Sequence, residues 1–368
     1  MSSHGWLRRN AVGWSLPRMP GQLAKVLADM EFVQADPIRA PARAQDLILR
    51  QRVRGYRAGD LDRRYRVLDI DEDMLYAYGF VARRLRPYLH PRRDWPSADG
   101  RYVPAGRSVE VLEFVRERGV AHPRDVQEHF GHERVTNDWG GKSSATTKEL
   151  ELLRQHGLLR VADRVGGVRR YEVAPPLGDP LDAADQLRAV VLRAARTLAP
   201  VTEATLSTAV CHLVLWLSGP GGRPDGKPGG KPVIRDLVAR GELDAVAVDG
   251  VRYVWPADLA PVDAEPPARV RFLAPFDPVV WDRRRFEIFW NWVYRFEAYT
   301  PAPRRKLGYY ALPLLWHERV IGWGNVAVTG GRLRAEFGYT DRKAPRNPAF
   351  RTGLEAELER VRAFLKSV

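Results

Sequence analysis

The pattern of apolar and polar residues predicts two helices near the amino end of the chain. Over residues 20–30 the apolar residues recur three or four positions apart, as on one face of a helix: Leu23, Val26, Leu27 and Met30. A similar pattern predicts a second helix over residues 41–53, with an apolar face formed by Ala44, Leu47 and Ile48. Residues 86–104 are rich in proline and arginine and end this first block.

Three helices followed by two strands are predicted for residues 108–174. The helices cover residues 108–119, 122–130 and 143–156, and the strands cover 158–163 and 168–173. Ser108 is a favourable N-cap and Gly119 a favourable stop for the first helix. This order is typical of a winged helix-turn-helix, whose third helix enters a DNA groove. We therefore expect DNA contacts near the start of that helix, unless its polar residues only form a solvated face: Lys142, Ser143, Thr147 and Lys148.

A similar order recurs over residues 179–258. Helices are predicted over 182–198, 202–209 and 231–240. A hairpin follows, because Asp249-Gly250 lies between two apolar runs and this dipeptide favours a tight turn. Residues 218–232, SGPGGRPDGKPGGKP, are interpreted as a mobile surface insertion. The second and third blocks thus resemble a degenerate duplication.

The last block predicts a β-rich domain closed by a helix. Strand-like runs lie at 270–273, 308–315, 319–328 and 331–337, and the helix is predicted over 351–365. Two basic triplets lie close to a run of aromatic residues. All six basic residues are expected to contact DNA: Arg283, Arg284 and Arg285, and Arg304, Arg305 and Lys306. The aromatic residues are interpreted mainly as core: Trp281, Trp290, Trp292, Tyr294 and Tyr299.

Taken together, the four blocks predict an α+β protein with tandem winged helix-turn-helix domains and a β-rich carboxyl-terminal domain. The expected domains are residues 1–106, which are winged-helix-like, 107–177, 178–262 with the insertion at 218–232, and 263–368. A chain of 368 residues is long enough for several such units.

Charge and cysteine content narrow the expected partners and sites. The chain has 59 Lys+Arg against 45 Asp+Glu, a formal net charge of +14 that favours a polyanionic partner. Cys211 is the single cysteine, which excludes an internal disulfide and a cysteine-cluster metal site. No apolar run is long enough to cross a bilayer, and residues 1–20 lack the continuous apolar core of a signal peptide. We therefore expect a cytoplasmic protein.

Most familiar catalytic motifs are absent from the sequence. It contains no Walker-type phosphate loop, no HExxH pair and no GxSxG nucleophile elbow. The histidines are scattered without the spacing of metal ligands, so no metal is expected.

One short segment carries polar side chains suited to act on a water molecule. Gln34 and Asp36 are two residues apart between apolar neighbours, and Pro37 disfavours a helical conformation for Asp36. In an extended chain, such residues project to the same face. A carboxylate and an amide could then hold one water between them, with the carboxylate accepting its proton. Spacing alone leaves open the alternative that Asp36 only caps a helix.

Two longer segments resemble the YcaQ/AlkZ-like family of winged-helix DNA glycosylases. Residues 32–53, FVQADPIRAPARAQDLILRQRV, are similar to its amino-terminal region, where a Gln-x-Asp or Gln-x-Gln pair precedes Arg-Ala and an apolar helix. Residues 272–316, FLAPFDPVVWDRRRFEIFWNWVYRFEAYTPAPRRKLGYYALPLLW, are similar to its carboxyl-terminal signature. The resemblance implies a monofunctional DNA glycosylase whose winged helices form a C-shaped, concave DNA-binding surface.

The resemblance also implies a substrate and residue roles. The substrates would be purines alkylated at N7 or N3 in duplex DNA, including interstrand crosslinks, and the catalytic residues would be Gln34 and Asp36. Asp36 would stabilise the positive sugar and deprotonate water, and Gln34 would fix that water. Arg39 and Arg43 are expected to contact DNA. We expect a monomer without a cofactor, associated with the nucleoid, and no lyase chemistry, since no lysine adjoins the motif.

Two other functions are compatible with parts of the pattern. A non-catalytic DNA-binding protein, such as a transcription regulator, would also be basic and rich in winged helices, although no dimerisation heptad is visible. A winged-helix scaffold for protein assembly is disfavoured by the net charge of +14.

Overall fold

A computed structural model describes residues 3–92, 102–136, 142–179, 181–218 and 230–366. Within these ranges, helices alternate with small antiparallel sheets, so the fold class is α+β as predicted. Most of the predicted insertion at 218–232 lies outside the described residues. No helix of the described part is both long and apolar enough to span a membrane.

The first block places three strands among short helices. Its elements are α1 (His4–Ser15), α2 (Leu23–Met30), β1 (Phe32–Gln34), α3 (Ala44–Leu49), α4 (Asp60–Arg64), β2 (Ile70–Met74), β3 (Tyr78–Ala82) and α5 (Arg86–Leu89). The strands form one sheet in the order β1-β3-β2. The second predicted helix is shorter than expected, because the chain turns after Leu49 and Val53 forms a parallel bridge with Gly21.

Strand β2 was not predicted, because it contains three consecutive acidic residues. Asp71, Glu72 and Asp73 are all buried. Each is paired with an arginine from elsewhere in the chain: Arg160, Arg164 and Arg92, respectively. Buried charges are tolerated in this way only when they are paired. A run of acidic residues that would be expected in a solvated loop therefore forms an interface with Arg160 and Arg164 of the second block.

The second block has the predicted three helices and a closing hairpin. Its elements are α6 (Arg107–Arg118), α7 (Pro123–Phe130), β4 (Arg134–Thr136), β5 (Lys142–Ser144), α8 (Ala145–Gln155), β6 (Leu159–Val165) and β7 (Val168–Val173). The start of the third helix was wrongly predicted. Lys142 and Ser143 lie on β5, which pairs with β4, and the helix begins only at Ala145.

The third block repeats the pattern of helices followed by a hairpin. Its elements are α9 (Ala183–Leu198), β8 (Val201–Thr202), α10 (Glu203–Ala209), α11 (Cys211–Ser218), α12 (Lys231–Ala239), β9 (Leu243–Val248) and β10 (Val251–Pro256). The Asp-Gly hairpin is confirmed. Asp249 and Gly250 both have positive φ angles, 48° and 74°, as a type I′ turn requires.

The fourth block is a four-stranded sheet in the order β11-β12-β13-β14, preceded and followed by helices. Its elements are β11 (Val270–Phe272), α13 (Pro278–Trp281), α14 (Arg283–Trp290), β12 (Leu312–Trp316), β13 (Arg319–Thr329), β14 (Arg332–Tyr339) and α15 (Pro348–Leu365). Helix α15 is fastened to the first block. Its buried Glu357 accepts hydrogen bonds from Arg50, Gln51 and the backbone of Phe272.

Strand β1 lies between two hydrophobic cores. Val33 belongs to a cluster that also contains buried residues of α6, α8 and the carboxyl-terminal sheet. Phe32 belongs to a second cluster, built largely from α9 to α12. Because alternate residues of a strand face opposite sides, Gln34 shares the face of Phe32. The strand that carries Gln34 thus packs against one hydrophobic cluster through Val33 and against the other through Phe32.

Candidate active site

Backbone pairing fixes the position of Gln34. Gln34 is opposite Gly79 in the antiparallel register of β1 and β3, and the next residue, Ala35, donates its N–H to the carbonyl of Tyr78 at 3.0 Å. The two strands approach closely at this point. A Cβ atom on Gly79 would lie 2.3 Å from the carbonyl oxygen of Val33 and 2.7 Å from the ring of Phe32. Glycine is therefore needed at position 79 for β1 to lie where it does.

The side chain of Gln34 is held by a tryptophan of the fourth block. The indole N–H of Trp281, at the end of α13, donates to Oε1 of Gln34 at 2.8 Å. Gln34 is half-buried. One end of its amide is thus engaged by the protein while part of the side chain remains open to solvent.

Trp281 is itself fixed by aromatic packing and by its helix. The ring of Tyr76 contacts Trp281 edge-on at 4.9 Å and Phe32 at 4.7 Å between centroids. Asp277 caps the start of α13 through the N–H of Val279 and pairs with Arg52 at 2.7 Å, in a fully buried position. These contacts connect β1, the turn after β2 and α13 into one assembly.

Asp36 has one carboxylate oxygen engaged and one without a protein partner. Its Oδ1 accepts the N–H of Ile38 at 2.9 Å, which forms a local turn around Pro37. Its backbone N–H is 3.3 Å from Oε1 of Gln45 and donates to it. Among the described residues, no donor is bonded to Oδ2. The half-buried carboxylate can therefore still accept a hydrogen bond from a water or a substrate.

The surroundings of Asp36 favour a carboxylate that can act as a base. Burial raises the pKa of Asp36 above its usual value, and the hydrogen bond from Ile38 partly opposes that rise. A carboxylate with a raised pKa is a better proton acceptor than an ordinary surface aspartate. Neither Asp36 nor Gln34 is enclosed in the packed interior, since both are half-buried.

Tyr310 is a buried neighbour of this region. It is 4% exposed, and its hydroxyl has no hydrogen-bond partner among the described residues. Burial raises the pKa of Tyr310, and the negative charge of Asp36 raises it further. The hydroxyl therefore remains protonated and available as a donor.

The prediction that all three arginines of the first basic triplet contact DNA is wrong for Arg285. Arg285 is fully buried, and its guanidinium donates to four backbone carbonyls, those of Leu198, Pro200, Pro278 and Val279. Arg283 is half-buried, bonded to the carbonyls of Val280 and Pro275 and stacked on Tyr294. Because consecutive residues of a helix point about 100° apart, three arginines on α14 cannot share one face.

The other predicted DNA contacts differ in accessibility. Arg43 is paired with Asp62 at 2.6 Å and its side chain is 14% exposed, so a phosphate would have to compete with that carboxylate. Thr147 and Arg305 are half-buried. The remaining predicted residues with described side chains are exposed: Arg39, Lys148, Arg284, Arg304 and Lys306.

Four residues of this region were not predicted from the sequence. They are Gln45, Gly79, Trp281 and Tyr310. Trp281 and Tyr310 lie within the carboxyl-terminal signature, but the aromatic residues around position 281 were interpreted as core. No local signal distinguishes Trp281 from the neighbouring aromatic residues, because the group that it contacts, Gln34, lies 247 residues away along the chain.

Comparisons with known proteins agree with the resemblance in the sequence. A family model described as "DNA glycosylase AlkZ-like" matches residues 27–364. Among solved structures, the Streptomyces sahachiroi DNA glycosylase AlkZ superposes with a TM-score of 0.57 at 15% sequence identity, over 99% of this chain and 96% of that chain. At this identity, the structural match supports a shared fold.

Proposed function

The chain belongs to the AlkZ-like DNA glycosylase family, and from this membership we propose that it hydrolyses the N-glycosidic bond of purines alkylated at N7 or N3 in duplex DNA. The observation that carries the proposal is the arrangement of the Gln-x-Asp segment. Gln34 is fixed by backbone pairing and by Trp281, and Asp36 has a carboxylate oxygen without a protein partner. Interstrand crosslinks linked through alkylated purines are a further class of substrate.

The proposed reaction needs a base and electrostatic stabilisation, but no acid. An N7-alkylated purine is cationic, so the bond from C1′ to N9 breaks with its electron pair passing to the base, which leaves neutral. The sugar then carries positive charge, which the carboxylate of Asp36 stabilises. Water forms the new bond to C1′, and its proton passes to Asp36. Gln34 holds the water in position for attack.

We propose that DNA lies against a concave surface formed by tandem winged helices. In this proposal, helices α6 to α8 with β6 and β7 would form one such unit, and α9 to α12 with β9 and β10 would form another. The exposed cations Arg39, Lys148 and Arg284, together with Arg304 and Lys306, would contact phosphates. The net charge of +14 supports DNA as the partner. The protein would act on it as a monomer at the nucleoid.

The direct test uses a duplex that contains a single N7-methylguanine. Purified protein is incubated with it under single-turnover conditions, and abasic sites are revealed as alkali-labile breaks. We expect the protein to release the base, and Gln34→Ala and Asp36→Asn to reduce release by about 100-fold or more while DNA binding persists. Asp29→Asn is the matched control, since Asp29 is an exposed carboxylate paired only with Lys25 among the described residues.

Two results would contradict the proposal. Equal release by the wild type and both variants would remove Gln34 and Asp36 from catalysis. Absence of release, together with tight binding to one preferred DNA sequence, would favour a transcription regulator.

A further inference from the structure

The hydrogen bond between Trp281 and Gln34 determines which end of the glutamine amide faces the substrate. An indole nitrogen can only donate a hydrogen bond, whereas a glutamine amide has an accepting oxygen and a donating NH₂ group. The atom 2.8 Å from the indole nitrogen must therefore be the oxygen, Oε1. The NH₂ group consequently points away from Trp281.

We propose that Trp281 is a positioning residue that turns Gln34 into a hydrogen-bond donor at the site of water attack. The NH₂ group of Gln34 would donate to the oxygen of the attacking water. Asp36 would then be the only one of the two motif residues able to accept the proton of that water. This inference rests on the proposed glycosylase function and specifies the chemical role of Gln34 within it.

The energetics favour one orientation of the amide. If the amide rotated by 180°, its NH₂ group would face the indole N–H, and both donors would lack an acceptor. Leaving a partly buried donor without an acceptor disfavours that orientation by about tenfold or more. Without the indole N–H, the two orientations would be closer in energy, and a substantial fraction of molecules would present the oxygen to the water instead.

Trp281 is fixed well enough to impose this orientation. Tyr76 packs against its ring at 4.9 Å, and α13 is held at its start by the buried pair of Asp277 and Arg52. On the opposite side, Gln34 is fixed by its pairing with Gly79. The donor and the acceptor are thus set by separate parts of the fold, and the hydrogen bond joins two rigid elements.

The first test distinguishes a donor from an acceptor at position 34. Gln34→Glu keeps two oxygens, so it preserves an acceptor for Trp281 but cannot donate to the water. We expect its single-turnover rate of base release to fall about 100-fold, as in Gln34→Ala, when measured at a pH where both carboxylates are ionised. A wild-type rate in Gln34→Glu would overturn the inference, since it would show that an oxygen at this position suffices.

The second test removes the indole N–H. Trp281→Phe keeps an aromatic ring against Tyr76, and we expect it to lower the rate about tenfold, with little change in the affinity for undamaged DNA. In the Gln34→Ala background the same substitution should cause no further loss, because Trp281 acts through Gln34. Trp290→Phe is the matched control, since the indole of Trp290 makes the same kind of bond, to the carbonyl of Glu318 at 2.9 Å.

The outcomes separate this inference from the proposed function. If Trp281→Phe behaves like Trp290→Phe, or if its effect is undiminished in the Gln34→Ala background, Trp281 does not position Gln34. If the wild type releases no alkylated base, the proposed function fails. The hydrogen bond itself is then tested by ¹⁵N–¹H spectra of the indole groups. A shift of the Trp281 resonance in Gln34→Ala supports the orientation of the amide, and an unchanged resonance overturns it.

Discussion

The close approach of β1 and β3 predicts that Gly79 is a sensitive position for catalysis, although it has no side chain that could take part in the reaction. In Gly79→Ala, the new Cβ would meet the carbonyl oxygen of Val33 at 2.3 Å. Carbon and oxygen atoms across paired strands are normally about 3.3 Å apart or more, so β1 would have to move by about 1 Å. That movement would carry Gln34, which is paired with Gly79, away from its present position.

The expected effects on rate and stability follow from that displacement. A misplacement of about 1 Å can cost roughly 100-fold in rate, because the reacting groups no longer align. Overpacking of this kind destabilises a fold by about 1–3 kcal/mol. We therefore expect Gly79→Ala to fold, to unfold at a lower denaturant concentration, and to release N7-methylguanine about 100-fold more slowly at saturating enzyme.

A second glycine provides a control for general destabilisation. In Gly322→Ala, the Cβ would lie 2.1 Å from the carbonyl oxygen of Gly338, a similar conflict between paired strands of the carboxyl-terminal sheet. This variant should lose comparable stability but keep its rate of base release per folded molecule. An equal loss of rate in both variants would refute the reasoning, as would a wild-type rate in Gly79→Ala, because either result would show that the position of β1 does not control catalysis.

Three further predictions follow from the site and its surroundings. The single-turnover rate should rise as the pH passes upward through the raised pKa of Asp36, and an acid limb centred at or below the usual 3.8 would contradict this. Asp36→Asn should keep or increase the free energy of unfolding at neutral pH, as measured by denaturant titration, because a raised folded-state pKa means that stability is lost as Asp36 ionises. Arg285→Met should lower that free energy by about 3 kcal/mol or more, because it leaves four carbonyls without their donor. Arg284 is exposed, so Arg284→Ala should change the free energy of unfolding by about 0.5 kcal/mol or less. It should instead reduce the salt dependence of DNA binding.

Local sequence signals predicted those elements whose ends are marked by caps and turns. The hairpin at Asp249-Gly250 is confirmed because both residues adopt the positive φ angles that its turn requires. Helix α6 stops before Gly119 as predicted, and the φ angle of Gly119 is also positive, at 74°, but the N-cap is Gly106, and the predicted cap Ser108 lies inside the helix. In both cases a few neighbouring residues determine the conformation, so their pattern can be recognised without knowledge of the rest of the chain.

Elements that depend on distant partners could not be predicted in this way. Strand β2 has an acidic sequence, and its buried Asp71 and Glu72 are neutralised by Arg160 and Arg164, which lie 89 and 92 residues further along the chain. The prediction of a DNA contact for Arg285 was wrong for the same reason, since the carbonyls that bind Arg285 come partly from the end of α9 and the segment after it. Local periodicity contains no information about such pairs.

The candidate site was predictable only in part. Gln34 and Asp36 could be selected from their types, their spacing and a family resemblance. The partner of Gln34 could not, because Trp281 lies 247 residues further along the chain. The free oxygen of Asp36 likewise depends on which donors the fold brings near it.

The distance along the chain between Gln34 and Trp281 also has a consequence for protein synthesis. Domains generally fold in order of their emergence from the ribosome, so the segment around β1 can form long before residue 281 is translated. Until then Gln34 lacks the indole, and Arg50 and Gln51 lack the carboxylate of Glu357 on the last helix. A nascent or truncated chain could therefore bind nucleic acid without excising a base, and base release would require that Trp281 and the last helix have been synthesised and have folded against the first block.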